Sequence, residues 1–145
     1  MKKFYSVFRA LFLKRSSNNL LEHGDQLLEN WVAAVNRCDV DAVMQLFAAD
    51  VMFYGTSTKT LITSSEGVRE YFEQAFAQLQ PLTMSVEDKT IQYVSDDVML
   101  LACTDKWSVA LDSQQQIMFG RLVITAAIKQ GAWKIVSFHR SVMPA

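Results

Sequence analysis

After Pro81 the chain alternates long runs of β-forming residues with very short polar breaks, and this pattern constrains the fold more than any other feature. The runs are rich in Val, Ile, Thr and aromatic residues. The three breaks have the sequences SDD, LDSQQ and KQGA. Breaks this short require neighbouring strands to run antiparallel. The pattern therefore predicts an antiparallel meander in the second half of the chain, with strands at about 83–94, 98–110, 116–128 and 132–142.

The first half has the periodicity of helices instead. Apolar residues recur at helical spacing over residues 20–37 and 65–79, and a shorter helix is predicted after Asp39. Asp39 and Ser65 are suitable N-caps, and Phe47 is expected on the apolar face of the short helix. The segment DVMFYGT between them predicts a short strand. Helices followed by strands indicate an α+β fold in which the helices cover one face of a curved sheet.

Size and charge limit the possible functions. The 145 residues, of which 50% are hydrophobic, suit one domain with a core that needs no disulfide or metal. Residues 1–15 contain five basic and no acidic residues, whereas the remainder contains nine basic and fifteen acidic residues, a net charge of −6. An acidic body argues against nucleic acid as the main partner.

The basic N-terminal segment is predicted to be separate from the domain. Residues 1–19 fit a basic amphipathic helix and a linker, and residues 20–145 fit the domain proper. Such a helix could lie on an anionic membrane surface through residues 1–15, or pack on its own domain or a partner subunit. The segment also resembles an export signal, although it lacks a small-residue cleavage site. Cys38 and Cys103 form no CxxC pair and predict reduced thiols in a cytoplasmic protein.

Asp105 is one candidate for chemistry. Strand alternation places it on the more apolar face of its strand, between Cys103 and Trp107. A carboxylate desolvated there could act as a general base. The alternative is a structural aspartate near the rim, solvated or paired with an arginine, and a single acid without a partner favours this alternative.

Two arginines are further candidates. Arg121 shares a strand face with Phe119 and is expected to meet a carboxylate, from either the protein or a ligand. In the closing strand, His139 and Arg140 point to opposite sides unless a bulge intervenes. Arg140 is predicted to enter a cavity between sheet and helices, and His139 to face an interface.

Several common chemistries have no motif in the sequence. No histidine has metal-ligand spacing with a cysteine or an acid. The sequence also contains no GxGxxG, P-loop, GxSxG or HExxH motif. No metal and no cofactor are therefore predicted.

The segments WVAAVNRCDVDAVMQLFAADVMFYGT and EGVREYFEQAF resemble the opening of nuclear transport factor two-like domains, which include SnoaL-like proteins. The ending GAWKIVSFHRSVMP is similar to that of the calcium/calmodulin-dependent protein kinase II association domain and its free-standing bacterial relatives. The resemblance covers about Leu20 to Pro144. It implies a cone-shaped, curved antiparallel sheet wrapped round a long N-terminal helix, with two further helices.

The resemblance also implies site residues. Arg140 matches the arginine of FHRS, which in the kinase association domain lines a deep pocket that accepts small carboxylates. Arg121 matches an arginine that often opens the penultimate strand in the bacterial relatives. Tyr54 and Tyr71 occupy stretches in which family members place pocket aromatics.

Three functions remain open on the sequence. The first is a homodimer, formed through the sheet face, that binds a small, partly apolar acid. Its predicted pocket is lined by Arg140, Arg121, Tyr54, Tyr71, Trp107 and Phe119. The second is a cofactor-free isomerase or cyclase with Asp105 as the base. The third is a non-catalytic oligomerisation module in which Arg140 forms an internal salt bridge.

Overall fold

The computed structural model of the protein describes residues 21–145, so the predicted basic helix of the N-terminal segment lies outside the described residues. Within residues 21–145, three helices cover one face of a five-stranded sheet. The helices are α1 (residues 21–36), α2 (Val40–Met44) and α3 (Ser65–Leu79). The strands are β1 (Phe47–Tyr54), β2 (Leu82–Ser95), β3 (Val98–Leu111), β4 (Gln114–Lys129) and β5 (Ala132–Val142).

The strand order β1-β5-β4-β3-β2 confirms the predicted meander and α+β class. Strands β2 to β5 pair antiparallel with their neighbours in sequence, whereas β1 pairs parallel with β5. The hairpins β3–β4 and β4–β5 each turn through two residues with positive φ, Asp112-Ser113 and Gln130-Gly131. Such turns match the right-handed twist of the strands that they join. Both hairpins therefore keep the twist of the sheet.

Two local predictions need correction. Ser64, and not Ser65, caps α3, because the Ser64 hydroxyl accepts a hydrogen bond from the Gly67 N–H at 3.1 Å. Phe47 was expected on α2, but α2 ends at Met44 and Phe47 opens β1. The predicted Asp39 cap is confirmed, since its carboxylate accepts from the Ala42 N–H at 3.0 Å.

A register shift in β5 decides which side chains face inward. The pairing of β4 with β5 slips between Thr125 and Ala126, which leaves Val136 as an extra residue. Ile135 and Phe138 can therefore both be buried although they lie three positions apart. After the shift the strand alternates regularly.

Aromatic side chains fill the space between α1, α3 and the sheet. Trp31 of α1 packs edge-on against Phe72 and Phe138, with ring centroids 5.5 and 5.4 Å away. Phe53 stacks on Phe138 at 4.8 Å. Edge-on and stacked aromatic contacts add to the hydrophobic gain from burial. This cluster fixes α1 and α3 against the inner face of the sheet.

Asn36 joins the end of α1 to the edge strand. Its amide Nδ2 donates to the Met84 carbonyl at 2.9 Å, and its Oδ1 accepts from the Met84 N–H at 2.6 Å. One side chain thus completes the hydrogen bonding of an edge-strand residue as a neighbouring strand would. In the described part of the chain, no helix is long and apolar enough to cross a membrane.

Candidate functional site

A cavity of about 240 Å³ lies between α3, the loop after β1 and the inner face of the sheet. Its wall is mostly aromatic and aliphatic, with neutral polar groups from the loop and from α3. Its lining residues are Trp31, Gly55, Thr56, Ser57, Tyr71, Phe72, Gln74, Ala75, Gln78, Leu79, Trp107, Met118, Phe138 and Arg140. Apolar walls with a few placed polar groups are typical of small-molecule sites.

The loop after β1 approaches α3 closely at Gly55. A Cβ atom on Gly55 would lie 2.5 Å from the Tyr71 hydroxyl oxygen and 2.7 Å from Tyr71 Cε2. Only a residue without a side chain allows this contact. Tyr71 also packs edge-on against Phe53, with ring centroids 5.0 Å apart. The ring of Tyr71 is thus held between the loop and the core at the wall of the cavity.

Arg140 and Asp105 form a buried, bidentate ion pair. The Nε of Arg140 donates to Asp105 Oδ2 at 2.8 Å, and its Nη2 donates to Oδ1 at 2.6 Å. The two side chains are 7% and 1% exposed. Two parallel N–H···O bonds between charged groups are the strongest arrangement for such a pair. The salt bridge that the oligomerisation hypothesis predicted is therefore present, and Asp105 is paired and buried instead of solvated.

The ion pair spans two strands that are not neighbours. Asp105 lies on β3 and Arg140 on β5, and β4 runs between them. The guanidinium reaches across β4 at Gly120, which is paired with Asp105 in the ladder. A Cβ on Gly120 would overlap Arg140 Nη2 and lie 2.6 Å from Asp105 Oδ1. The absence of a side chain at this position makes room for the pair.

Two further contacts hold the guanidinium in place. Arg140 Nη1 donates to the Thr56 hydroxyl at 2.6 Å. The guanidinium carbon lies 5.1 Å from the centre of the Trp107 ring. A guanidinium at this distance from an indole gains a cation–π attraction. Strand, loop and aromatic contacts therefore fix Arg140 at the cavity wall.

Cys103 lies beside the ion pair but does not suit nucleophilic chemistry. Burial, followed by the negative charge of Asp105, raises the pKa of the Cys103 thiol to about 11. The thiolate is the reactive form, so the group stays protonated and unreactive near neutral pH. Among residues 21–145, no group of three or more His, Cys, Asp or Glu side chains could hold a metal ion.

Two tryptophans of the cavity wall have indole nitrogens without an acceptor in the described part of the chain. Trp31 and Trp107 both line the cavity, and the indole nitrogens of both are buried without a partner among the described residues. Most buried polar groups in folded proteins are hydrogen-bonded. An unpaired buried donor costs stability, but both nitrogens are fully buried, so they lie within the packed wall and do not face the open space of the cavity.

The structure brings together three of the predicted ligand-binding residues. Arg140, Tyr71 and Trp107 all line the cavity. Asp105, the predicted base, is not on the cavity wall, and Arg140 occupies both of its oxygens. Whether the three residues bind a ligand stays a prediction.

The other three predicted pocket residues lie on the opposite, outer face of the sheet. Arg121 and Phe119 alternate with the inward-facing Gly120 and Leu122, and both are exposed. Tyr54 is 40% exposed and stands beside His139, which faces outward as predicted. The expectation that Arg121, Phe119 and Tyr54 line the same cavity as Arg140 is therefore wrong.

Some residues of the site were not predicted, although three of them left a signal in the sequence. Gln74 and Gln78 are four residues apart on α3, on the same helix face as Tyr71. Gly120 stands in mid-strand, where glycine often marks a close approach of other atoms to the backbone. Thr56 has no comparable signal, because its role depends on where the loop places it.

The fold is similar to that of several solved structures. A Xanthomonas campestris protein described as a calcium/calmodulin-dependent protein kinase II association domain is 22% identical, with a TM-score of 0.74 over 81% of this chain and 84% of that one. A Novosphingobium aromaticivorans protein described as a scytalone dehydratase is 10% identical, with a TM-score of 0.80 over 90% and 89% of the two chains. A hexachlorocyclohexane dehydrochlorinase is 10% identical, with a TM-score of 0.75 over 90% and 88%.

Identities this low establish a common fold and leave activity open. No curated protein sequence matches the chain significantly. The sequence does match a family model over residues 25–145, which include every described strand and most of α1. That family is described as the SnoaL-like domain. The chain therefore belongs to the family of SnoaL-like domains.

Proposed function

We propose that this protein binds a small, partly apolar organic molecule in the cavity beneath α3. The observation that carries the proposal is a cavity of about 240 Å³ whose largely aromatic wall also holds the hydroxyl and amide groups of Ser57, Tyr71 and Gln78. A ligand with acceptor atoms would accept hydrogen bonds from these groups. The apolar wall would remove the rest of the ligand from water.

The geometry favours binding over the isomerase or cyclase alternative. A general base must come within hydrogen-bond reach of the proton that it abstracts. Asp105 lies behind Arg140 and does not reach the cavity wall, and His139 faces the outer side of the sheet. Some relatives in fold are described as a dehydratase and a dehydrochlorinase, but those descriptions belong to those proteins.

Filling the cavity tests the binding proposal. Ala75 of α3 lines the cavity, whereas Ala77 on the same helix is exposed and does not. Thermal unfolding is measured with small aromatic acids, amides and ketones as probes. A probe at a hundred times its Kd stabilises the fold by about 2.7 kcal/mol, a shift of several degrees in Tm. We expect the shift in wild type and Ala77→Phe and its loss in Ala75→Phe. Equal shifts in all three chains would contradict binding in this cavity.

We also propose that the protein forms a homodimer through the outer face of its sheet. This face carries exposed apolar side chains on β1 and β4. Met52 is 52%, Phe119 48% and Val123 53% exposed. Val123 stands in a row across the sheet with Ala102, His139 and Tyr54. A cluster of large exposed apolar residues on one face supports an interface.

Sedimentation velocity at micromolar concentration tests the dimer. Val123→Glu puts a charge at the centre of the row, and Leu61→Glu puts the same charge at an exposed apolar residue in the loop before α3. We expect wild type and Leu61→Glu to sediment as dimers and Val123→Glu as a monomer. A wild-type monomer would refute the dimer and leave the binding proposal intact.

A further inference from the structure

We infer that the ligand of the cavity is uncharged: a small aromatic or alicyclic molecule with a neutral acceptor oxygen, such as a carbonyl, and not a carboxylate. This inference rests on the binding function proposed above and narrows its ligand class. It departs from the small acid that the sequence predicted.

The first argument is the charge at the wall. Among the described residues that line the cavity, Arg140 has the only charged side chain. Its partner Asp105 lies directly behind it, with carboxylate oxygens 2.6 and 2.8 Å from the guanidinium nitrogens. The pair is buried and has no net charge. A carboxylate in the cavity would therefore lose its hydration without gaining an unpaired positive charge among the described wall residues.

The second argument is the number of free donors on Arg140. A guanidinium has five N–H groups, and three of them already donate to Asp105 and Thr56. The Nε–Nη2 edge that would grip a carboxylate in fork geometry is occupied by Asp105. A ligand carboxylate that displaced Asp105 would leave that aspartate buried and unpaired, which is strongly unfavourable.

The third argument is the chemistry of the remaining wall. Neutral hydroxyl and amide groups line the rest of the polar wall: Thr56, Ser57, Tyr71, Gln74 and Gln78. Uncharged donors beside aromatic faces suit a carbonyl or ether oxygen on a ring system. They provide no fixed charge to balance an anion.

Matched probe pairs of the same shape test the inference in the full chain. The pairs are 2-naphthamide with 2-naphthoate, and benzamide with benzoate, at a pH at which both acids are ionised. Binding is measured by intrinsic tryptophan fluorescence and by Tm. Trp31 and Trp107 line the cavity and Trp133 does not, so Trp133→Phe should preserve the signal. We expect the amide of a pair to bind about tenfold more tightly than its acid, or better.

The outcomes separate this inference from the function on which it rests. An acid that binds as tightly as its amide or more tightly would overturn the inference and leave small-molecule binding standing. If neither member of either pair binds, the binding proposal fails and the inference fails with it. Loss of the amide signal in Ala75→Phe, with retention in Ala77→Phe, assigns the effect to this cavity.

Asp105→Asn provides a second, more specific test. This change keeps the shape of the side chain and removes its negative charge, so the charge of Arg140 becomes available. We expect the Kd of the acid, divided by the Kd of its amide, to fall by about tenfold. Asp50 is an exposed aspartate on β1, and Asp50→Asn should leave this ratio unchanged. An unchanged preference in folded Asp105→Asn would overturn the charge argument. If Asp105→Asn does not fold, the matched amide and acid probes on the wild-type protein still test the inference.

Discussion

At the scale of single residues, the ion pair between β3 and β5 depends on a missing side chain. Arg140 reaches Asp105 over the backbone of Gly120, and a Cβ there would overlap the guanidinium. We expect Gly120→Ala to lower the free energy of unfolding by about 1–3 kcal/mol, because the pair must shift or separate. Urea unfolding measures the change. Gln116→Ala, an exposed position on the same strand, is the control, and its effect should stay below about 0.5 kcal/mol.

A Gly120→Ala variant as stable as the control would mean that the guanidinium has room to move. The contact with Trp107 and the bond to Thr56 would then be too weak to fix Arg140. That outcome would also weaken the charge argument for an uncharged ligand.

Cys103 gives a second residue-scale prediction. Burial and Asp105 raise the pKa of its thiol to about 11, so almost no thiolate exists at pH 8. We expect Cys103 in the Cys38→Ser variant to react with dithionitrobenzoate only after unfolding in guanidinium chloride. In the Cys103→Ser variant, the partly exposed Cys38 should react faster in the folded state. Rapid native labelling of Cys103 would show that this part of the sheet opens readily.

Part of the site was predictable from strand alternation. The sequence placed Asp105 and Arg140 on inward faces, and the structure confirms both placements. Their pairing could not be predicted, because two strands separated by a third are not expected to share an ion pair. The register of both ladders and the small size of Gly120 bring these two side chains together.

At the scale of elements, Asn36 links α1 to the edge strand β2. Both of its hydrogen bonds go to the backbone of Met84, so Asn36→Ala leaves a backbone donor and acceptor without partners. We expect the free energy of unfolding to fall by about 1–2 kcal/mol. The midpoint of urea unfolding should move while the slope stays constant.

Asn30→Ala is a matched control on the same helix. Asn30 is exposed, and its side chain accepts a hydrogen bond from the side chain of Gln26 one turn earlier. Its loss should change the stability by less than about 0.5 kcal/mol. Equal effects of the two substitutions would show that Asn36 contributes no more than a surface residue.

The helices and strands themselves were largely predictable, because each has strong periodicity and clear turn residues at its ends. The errors fall where two periodicities meet. Phe47 fits the apolar face of α2 by spacing, but its burial in the aromatic cluster of the sheet decides its place. The slip in β5 leaves no mark in the sequence, since both faces of that strand are apolar.

At the scale of the whole molecule, residues 1–19 add a charge opposite to that of the body. The first fifteen residues carry five basic groups, and the remainder has a net charge of −6. We expect the full chain to pellet with vesicles that contain anionic lipid, and to do so less as salt rises. A chain without residues 1–19 should stay in the supernatant, as should the full chain with zwitterionic vesicles. Equal pelleting of both chains would assign membrane contact to the domain instead.

The fold class was predictable as a whole, since short breaks impose antiparallel pairing and the early helices must cover the sheet. The wall of the cavity was predictable only in part, because it combines residues from α1, α3, a loop and three strands. Tyr54 and Arg121 were assigned to it by family resemblance, yet strand alternation turns both outward. A cavity depends on the relative placement of all these elements, which periodicity does not determine.

The parallel pairing of β1 with β5 has a consequence for synthesis of the chain on the ribosome. Of the described strands, β5 is made last, but it occupies an interior position in the sheet, between β1 and β4. Until it has left the exit tunnel, β1 has no strand partner and Phe138 is missing from the aromatic cluster. The nascent chain can form helices and the hairpins β2–β3–β4 earlier. The apolar face of these strands stays exposed until β5 joins the sheet. A chaperone that shields apolar segments would act on this protein before β5 emerges, when that face is largest.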